Sequence, residues 1–342
     1  MKNILSISTV NLDESIKGMA GFFQTEVDIE NNELCFELSE EWGKGYVNGF
    51  SFTHGVNVIE LDFRLKKDVI LEFQNPSVKP LQLLYNKEDQ VGHFFSDTEK
   101  INQINRLECV MVASDVTSHQ SLEFEKDSAI CMFFININRR EFEDKVEDFL
   151  PGMNKDLEVL FRDVNGVSRF FYQGYYSLDI AESIEAFTDC ELTDFPKSVF
   201  LEGKVYEILG HQLRQFLDDR NTPDRRKILR KSTVSAINRA AELIEENLDQ
   251  VENILTLSKK VGLNQNTLQQ GFRHVFGKSV NAYMKELRLK RAKELLESSQ
   301  MNITEISYSV GINSRSYFSK IFKEKYGMTP KQYVLNSRNK AS

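Results

Sequence analysis

The fold of the last third of this chain is decided by a short stretch that occurs twice. Residues 257–264 read LSKKVGLN and residues 306–313 read ISYSVGIN, in the same register and without a gap. After one inserted residue, LQQGFR at 268–273 matches FSKIFK at 318–323. Each copy predicts a short helix, a tight turn at a glycine and a second helix. The repeat therefore predicts two consecutive helix-turn-helix units.

The residue types at the turns and caps support this prediction. Gly262 and Gly311 each follow the last apolar residue of a short helix, where glycine reaches the left-handed conformation without strain. The candidate N-cap residues are Asn264 and Asn313, or their neighbours, and Asn302 with Glu305 in the spacing of a capping box.

Each predicted helix pair has an apolar face and a polar face. The apolar residues expected to hold the helices together are Leu257, Val261, Leu268 and Phe272, and then Ile306, Val310, Phe318 and Phe322. The residues predicted to contact DNA from the opposite face are Gln265, Asn266, Gln269, Gln270 and Arg273, and then Ser314, Arg315, Ser319, Lys320 and Lys323. Amide side chains pair with adenine and arginine pairs with guanine. The alternative, a solvated polar face, becomes less probable when the pattern occurs twice in a basic segment.

A helix is predicted between the copies, from about Val280 to Ser298. About 19 residues span roughly 28 Å, close to the roughly 34 Å between major-groove faces one DNA turn apart. With slight bending of the DNA or tilting of the helices, one polypeptide can reach two successive grooves. Basic residues here are candidates for phosphate contacts, although some must be ordinary exposed charges: Lys285, Arg288, Lys290, Arg291 and Lys293.

The distribution of charged residues also divides the chain into two parts, with the boundary near residue 224. Residues 224–342 carry 22 Lys and Arg against 11 Asp and Glu, a net charge of +11. The preceding residues carry 21 against 40, a net charge of −19. This asymmetry indicates a polyanion-binding C-terminal part joined to an acidic part with another task.

Residues from about 48 to 137 have the alternation typical of strands, clearest at 59–65, where IELDFRL puts apolar and charged side chains on opposite faces. Turn signals at 66–68, 75–77 and 86–89 separate short strands and predict a barrel or sandwich. Its aromatic residues could fill the interior or line a ligand pocket: Phe52, Phe63, Phe73, Tyr85, Phe94, Phe95 and Phe133.

After Asn138 the pattern becomes helical. Helices are predicted near 140–148, 156–161, 180–187 and 197–219. The last has a stripe that is either a core face or a helix-pairing surface for a dimer: Val205, Ile208, Leu209, Gln212, Leu213 and Phe216. The polar segment that follows contains Pro223 and marks the change of charge, so residues 220–231 are predicted to be a linker between domains at 1–219 and 232–342.

Several classes of function are not favoured. No apolar stretch reaches the roughly 18 residues that a transmembrane helix needs, so no membrane association is expected. The four scattered cysteines, Cys35, Cys109, Cys131 and Cys190, indicate reduced thiols and a cytoplasmic protein. No two of the five histidines are one to five residues apart, and no Walker, nucleophile-elbow or CxxC motif occurs. We therefore predict no enzyme, no catalytic or metal-binding residue and no cofactor, and assign no cofactor-binding residue.

Residues 235–338 resemble the AraC/XylS family of transcription regulators. The motif that carries the resemblance is VGI at 310–312, FSKIFK at 318–323 and YGMTPKQY at 326–333. It implies a seven-helix DNA-binding domain, promoter binding, usually as an activator, and an N-terminal cupin-like barrel for effector sensing or dimerisation. Ser258 and Ser307 depart from the family pattern, which often has alanine there, and Ile312 stands where an aromatic residue is common. The expected fold class is α+β, a cupin-like barrel or sandwich with helices followed by an all-α domain.

A narrower resemblance concerns the siderophore-responsive, PchR-like branch. It rests on residues 263–277, on YQGYY at 172–176 and on FLEGK at 200–204. It implies a small-molecule effector such as a metal chelate. The expected partners are double-stranded promoter DNA, a second copy of the chain in a homodimer, and RNA polymerase. Two alternatives stay open: a regulator controlled by a protein partner or by dimerisation alone, and a cupin-type metal enzyme, which bound iron or zinc would indicate.

Overall fold

The structure is a computed structural model that describes residues 3–8, 11–30, 33–74, 78–221, 223–248, 253–299 and 301–340. Side chains at 223–232 and 336–340 are outside this description. The chain forms two compact units, Met1–Lys227 (unit 1) and Ile228–Ser342 (unit 2). The division falls within the predicted linker at 220–231, most of whose side chains lie outside the described residues, so the linker and the domain boundaries stay predictions.

Unit 1 is built on two β-sheets. The strands are β1 (Asn3–Ile7), β2 (Asp28–Glu30), β3 (Glu33–Glu37), β4 (Gly43–Ser51), β5 (Val56–Leu65), β6 (Val69–Phe73), β7 (Leu81–Asn86), β8 (Val91–Phe95), β9 (Asn102–Ile104), β10 (Glu108–Ala113), β11 (Gln120–Phe124), β12 (Ala129–Ile137) and β13 (Phe170–Tyr175). One sheet has the order β1-β6-β11-β8-β9, and the other has the order β13-β10-β7-β12-β5-β4-β3-β2. The architecture confirms the predicted strand-rich N-terminal domain.

The hydrophobic core of unit 1 lies between these sheets. Phe73 of the smaller sheet contacts Phe134 of the larger one, with ring centroids 6.4 Å apart. Phe124 and Phe63 make the same kind of contact at 5.7 Å. Of the seven aromatic residues singled out above, five are buried and two, Phe52 and Phe94, are half-buried. They largely fill the interior of their own unit, because edge-to-face ring packing brings the two inner faces together.

A chain of buried polar side chains also crosses the interior. His93 Nε2 donates to Gln120 Oε1 at 3.0 Å, and Gln120 donates in turn to Gln82. Gln82 donates to Asn136 at 2.6 Å, and Asn136 donates to Asn57 at 3.0 Å. Burial lowers the pKa of His93 to about 4, so the ring is neutral at physiological pH. The chain links the two sheets and satisfies amides that would otherwise be costly to bury.

The alternation predicted for residues 59–65 holds with one exception. Asp62 and Arg64 are exposed as expected, but Glu60 is only 6% exposed. Its Oε1 accepts a hydrogen bond from Thr188 Oγ1 at 2.6 Å, and burial raises the pKa of Glu60. Thr188 is the last residue of the helix Leu178–Thr188, which covers this end of the sheet. A strand pattern alone cannot reveal such a covering helix.

The helices of unit 1 are α1 (Leu12–Phe22), α2 (Glu143–Val146), a 3-10 helix (Glu147–Gly152), α3 (Lys155–Arg162), α4 (Leu178–Thr188) and α5 (Asp194–Asn221). Those after Asn138 lie near the predicted positions, whereas α1 was not predicted from the sequence. The α5 stripe is buried within unit 1 apart from the half-buried Leu213. Of the two interpretations of that stripe, the core face therefore describes the structure.

Two predictions about strands were incomplete. Strands β1 to β3 precede position 48, where strands were first expected. Strand β13 lies in the region predicted to be helical, and it pairs antiparallel with β10 from Phe170↔Ala113 to Tyr175↔Glu108. The segment FFYQGY at 170–175 lacks the strict apolar and polar alternation of a half-buried strand, so its own sequence gave little sign of β13.

Unit 2 is all helical among its described residues. Its helices are α6 (Pro223–Glu246, which begins in unit 1), α7 (Ile254–Val261), α8 (Gln265–Phe276), α9 (Val280–Ser298), α10 (Ile303–Ser309), α11 (Arg315–Tyr326) and α12 (Pro330–Lys340). The observed α9 has the bounds predicted from sequence. The all-α part of the expected fold class is confirmed.

Candidate nucleic-acid interface

The first helix-turn-helix unit consists of α7 and α8. Asn253 caps α7 by accepting from Thr256 N at 2.9 Å. Gly262 ends the helix with φ of 74°, the left-handed conformation that favours glycine. Asn264 then caps α8 by accepting from Thr267 N at 2.8 Å. The sequence thus sets the turn through a C-terminal glycine and an asparagine cap two residues later.

The second unit repeats this design with α10 and α11. Asn302 and Glu305 form the predicted capping box at the start of α10. Gly311 has φ of 74°, the same as Gly262. Ser314, the neighbour of Asn313, caps α11 by accepting from Tyr317 N at 3.3 Å. Two independent stretches of sequence therefore build the same turn.

The inward faces hold each helix pair as predicted. Seven of the eight expected core residues are buried, and Val261 is half-buried at the turn. Phe272 packs edge-on against Tyr283 at 5.5 Å, and Phe322 packs likewise against Tyr333 at 5.7 Å. These contacts anchor the apolar face of α8 to α9 and the apolar face of α11 to α12.

The repeat extends to the tyrosine hydroxyls. Tyr283 donates to Glu245 at 2.7 Å, and Tyr333 donates to Glu297. Burial, followed by the adjacent carboxylate, raises the pKa of each tyrosine to about 12. Both hydroxyls therefore stay protonated and brace the helix that precedes each unit.

The outward face of α8 carries amides and one cation. Gln265, Asn266 and Arg273 are exposed, and Gln270 is half-buried. Gln269 is also half-buried, and its Oε1 accepts from Val280 N at 3.3 Å. The side chain of Gln269 therefore supports the start of α9 as well as lying beside the outward face.

The outward face of α11 is more basic. Arg315, Lys320 and Lys323 are exposed, and Ser319 is half-buried. Ser314 is exposed but its hydroxyl is used as the helix cap.

Two exposed residues of α11 were missed by the sequence interpretation. Ser316 and Tyr317 are exposed, Tyr317 by 51%. Once the inserted residue is taken into account, Ser316 lies in the position of Asn266 in the first copy. That register was the signal that could have identified it.

The basic residues of α9 are largely engaged within unit 2. Arg288 donates to Leu248 O from Nε at 3.1 Å and from Nη2 at 2.9 Å. The remaining pairs are Lys285 with Glu324 at 3.4 Å, Arg291 with Glu294 at 3.0 Å, and Lys293 over the rings of Tyr326 and Tyr333. Lys290 is exposed. Arg288 thus binds the backbone just after α6, at Leu248. Lys290 is therefore the better candidate for a phosphate contact.

No group of three or more His, Cys, Asp or Glu side chains in the described ranges is arranged to hold a metal ion. Within the same ranges, none of the helices combines the length and apolar character needed to cross a membrane.

Comparison with known proteins gives a family match in this part of the chain and several related proteins. A family model described as a helix-turn-helix domain matches residues 257–336. The chain is 32% identical to the regulatory protein PchR of Pseudomonas aeruginosa over 33% of this chain and 38% of PchR. It is 27% identical to the Msm operon regulatory protein of Streptococcus mutans over 46% of this chain and 54% of that protein. It is also 36% identical to histidine kinase P4 of Formosa agariphila, over 30% of this chain but only 8% of the kinase.

Two solved structures are similar to part of the chain. The C-terminal domain of the response regulator yesN from Fusobacterium nucleatum is 32% identical, covering 29% of this chain and 98% of that domain with a TM-score of 0.28. The DNA-binding domain of AdpA, solved with a target DNA, is 21% identical, covering 30% of this chain and 94% of that domain with a TM-score of 0.30. The chain spans at most about half the length of the three curated relatives named above. The sequence matches confirm the resemblance to transcription regulators that the repeated motif predicts.

Proposed function

We propose that this chain, whose C-terminal unit is a helix-turn-helix domain of the AraC/XylS type, is a sequence-specific DNA-binding transcriptional regulator. It inserts α8 and α11, here called the recognition helices, into successive major grooves of one duplex. The observation that carries this proposal is the duplicated unit. Two helices of 12 residues each are fixed on their apolar side by buried phenylalanines and carry polar side chains on the other.

The two recognition helices are proposed to read DNA differently. On α8, Gln265, Asn266, Gln269 and Gln270 offer amides suited to adenine, with Arg273 as the cation. On α11, Arg315 is suited to guanine, while Lys320 and Lys323 are suited to phosphates. Ser314 and Ser319 complete the proposed contact set. Binding to the operator half contacted by α11 should therefore depend more strongly on ionic strength than binding to the half contacted by α8.

The role of unit 1 is proposed to be regulatory. A small-molecule effector, bound there, would favour the arrangement in which the recognition helices match the operator, and the chain would act as an activator through RNA polymerase. A homodimer would double the length of DNA that is read. The alternative is control by a protein partner or by dimerisation alone, and the aromatic filling of unit 1 is compatible with it.

Selection of bound sequences from random duplexes by the full-length chain tests this function. We expect two short conserved blocks about one helical turn apart, roughly 10 base pairs between centres. A double variant, Gln270→Ala with Arg273→Ala, should select duplexes with weaker sequence conservation in one block. Arg315→Ala should weaken the conservation of the other block. A uniform loss of binding to every sequence would contradict the proposed base contacts.

A further inference from the structure

Unit 1 contains a cavity of about 430 Å³ far along the chain from the recognition helices. It is lined by the ends of β2 to β4, by residues 192–193 and by the first turns of α5. The proposed contacts with DNA use none of these residues.

Aromatic side chains form the cavity walls. Phe50 is buried and packs edge-on against Phe187 at 5.0 Å, which gives one rigid wall. Phe52 continues this wall, and Phe195 lies at the start of α5 with 77% of its surface exposed. Leu192 beside it is 46% exposed. Large apolar side chains left exposed around a concavity are typical of a binding site.

The charged residues of the cavity are mostly acidic. Glu30, Glu33 and Asp194 face a single cation, Lys197, among the described lining residues. Lys197 forms an ion pair with Glu33, and its Nζ lies 5.9 Å from the centroid of the Phe50 ring. In the described part of the chain, neither Glu30 nor Asp194 has an ion-pair partner. The cavity thus combines aromatic faces with uncompensated negative charge.

We propose that this cavity binds a small organic cation with an apolar body, such as a quaternary ammonium compound. The faces of aromatic rings attract cations, and the attraction is stronger where water is excluded. The Lys197 ammonium, held between a carboxylate and an aromatic ring, shows that the cavity accommodates a positive charge. An anionic chelate would instead be repelled by Glu30 and Asp194.

The position of the cavity suits a regulatory ligand. Asp194 is the first residue of α5, a helix of 28 residues that ends at Asn221. At roughly 1.5 Å per residue, α5 extends about 42 Å. A ligand in the cavity therefore contacts a helix whose last residue, Asn221, lies a few residues before unit 2 in the sequence.

Binding of matched probes to the full-length chain without DNA tests the proposal, so its outcome is independent of the proposed contacts with DNA. The probes are choline, its neutral isostere 3,3-dimethyl-1-butanol and the anion 3,3-dimethylbutyrate, titrated by calorimetry and by saturation-transfer NMR at millimolar concentration. We expect choline to bind and the other two to bind at least severalfold more weakly.

Variants at exposed cavity residues locate the site. Glu30→Gln and Asp194→Asn should each weaken choline binding, and Phe195→Ala should weaken it by about two- to fivefold. Glu26→Gln, an exposed carboxylate outside the cavity lining, is the control and should leave binding unchanged. Equal binding of choline and the neutral alcohol, unchanged binding in all three cavity variants, or no choline binding at all would each overturn the proposal.

Discussion

Arg315 is the first residue of α11, and its side chain is exposed. It is followed by one of the exposed residues that the sequence interpretation missed, Ser316. Because Ser314 caps the start of α11 and the Arg315 side chain is exposed there, its guanidinium can approach a base edge without disturbing the core. In the proposed complex with DNA, the side chain at position 315 selects the preferred base.

The first prediction concerns Arg315→Ala. We expect specific DNA affinity to fall by about 1–3 kcal/mol, with relaxed preference at one base position, since a bidentate contact to guanine is lost. Fluorescence anisotropy on the selected operator and on single-base variants measures both effects. Lys17→Ala removes the same charge from an exposed site in unit 1 and serves as the control. An equal loss on all sequences would assign Arg315 to the phosphate backbone instead.

Gly271 distinguishes the two copies at the residue scale. A Cβ at this position would lie 2.1 Å from Ile237 Cδ1, because α6 packs against α8 there. The second copy has Ile321 in the corresponding place, buried in its own core. The first helix-turn-helix copy thus has a glycine where α6 approaches closely, and the second copy has an isoleucine that fills the same position.

The second prediction follows from that close approach. Gly271→Ala should destabilise unit 2 by about 1–3 kcal/mol through overpacking. Gly210→Ala, within α5 and with nothing within 4 Å of the added Cβ, should instead stabilise unit 1 by about 0.5–1 kcal/mol. Thermal unfolding followed by circular dichroism compares the two. If Gly271→Ala melted like the parent chain, the packing of α6 on α8 would be wrong.

At the scale of elements, α9 and α11 are joined by an ion-pair cluster. Glu286 of α9 binds Lys278 at 2.6 Å and Lys325 of α11 at 3.2 Å. Hydrogen bonds from Lys278 and then Lys325 lower the pKa of Glu286. Lys325 occupies the position that Val275 has in the first copy, so a charge contact replaces apolar packing there. Because such surface pairs contribute only about 0–1 kcal/mol, the cluster matters more for the placement of α11 than for overall stability.

Three segments of unit 1 meet at Asp115, which follows β10. Its carboxylate accepts from Thr117 and Ser118, and it pairs with Arg169, which also pairs with Asp97 beyond β8 at 2.6 Å. Burial by itself would raise the pKa of Asp115, but the hydrogen bonds of Thr117, Ser118 and Arg169 lower it to about 2. This cluster ties the ends of neighbouring elements together.

The third prediction uses this depressed pKa. The folded value of about 2 lies below the ordinary pKa of 3.8, so the stabilisation is fully present above 3.8 and is lost as the pH falls to about 2. Asp115→Asn should therefore cost about 2 kcal/mol at neutral pH, and its difference from the parent should shrink through that window. Urea unfolding at a series of pH values measures this. Asp148→Asn, an exposed carboxylate, is the control; a constant difference at every pH would contradict the cluster's role.

At the scale of the whole molecule, the two units carry opposite charge. Residues 228–342 have 19 Lys and Arg against 10 Asp and Glu, and the rest of the chain has 24 against 41. A polyanion is therefore attracted by unit 2 and repelled by unit 1. This opposition limits non-specific binding by the full-length chain.

The fourth prediction is that a fragment of residues 228–342 binds non-specific DNA more tightly than the full-length chain. The affinity of both should fall steeply as salt rises, because bound counterions are released. Lys320→Ala and Lys323→Ala should each reduce the slope against log salt by about 1. Titrations of operator and random duplexes at several salt concentrations measure all of these. A fragment with no sequence preference on any duplex would contradict the proposed function.

The sequence alone determined the helix-turn-helix units, their caps, their buried faces and the position of α9, because each depends on residues close together in the chain. Spacing of apolar side chains, a glycine and a cap residue suffices to specify such local structure. The strand-rich character of unit 1 was equally evident from alternation between residues 59 and 65.

Only the tertiary structure decided features that depend on distant partners. The pairing of β13 with β10, the burial of Glu60 under α4 and the approach of Ile237 to Gly271 each join residues more than thirty positions apart. The double role of Gln269 and the engagement of Arg288 with Leu248 O also appeared only in three dimensions. The physical reason is that the local sequence pattern shows which side of a helix or strand is apolar. The burial and hydrogen bonding of a residue depend instead on which distant segment packs against it.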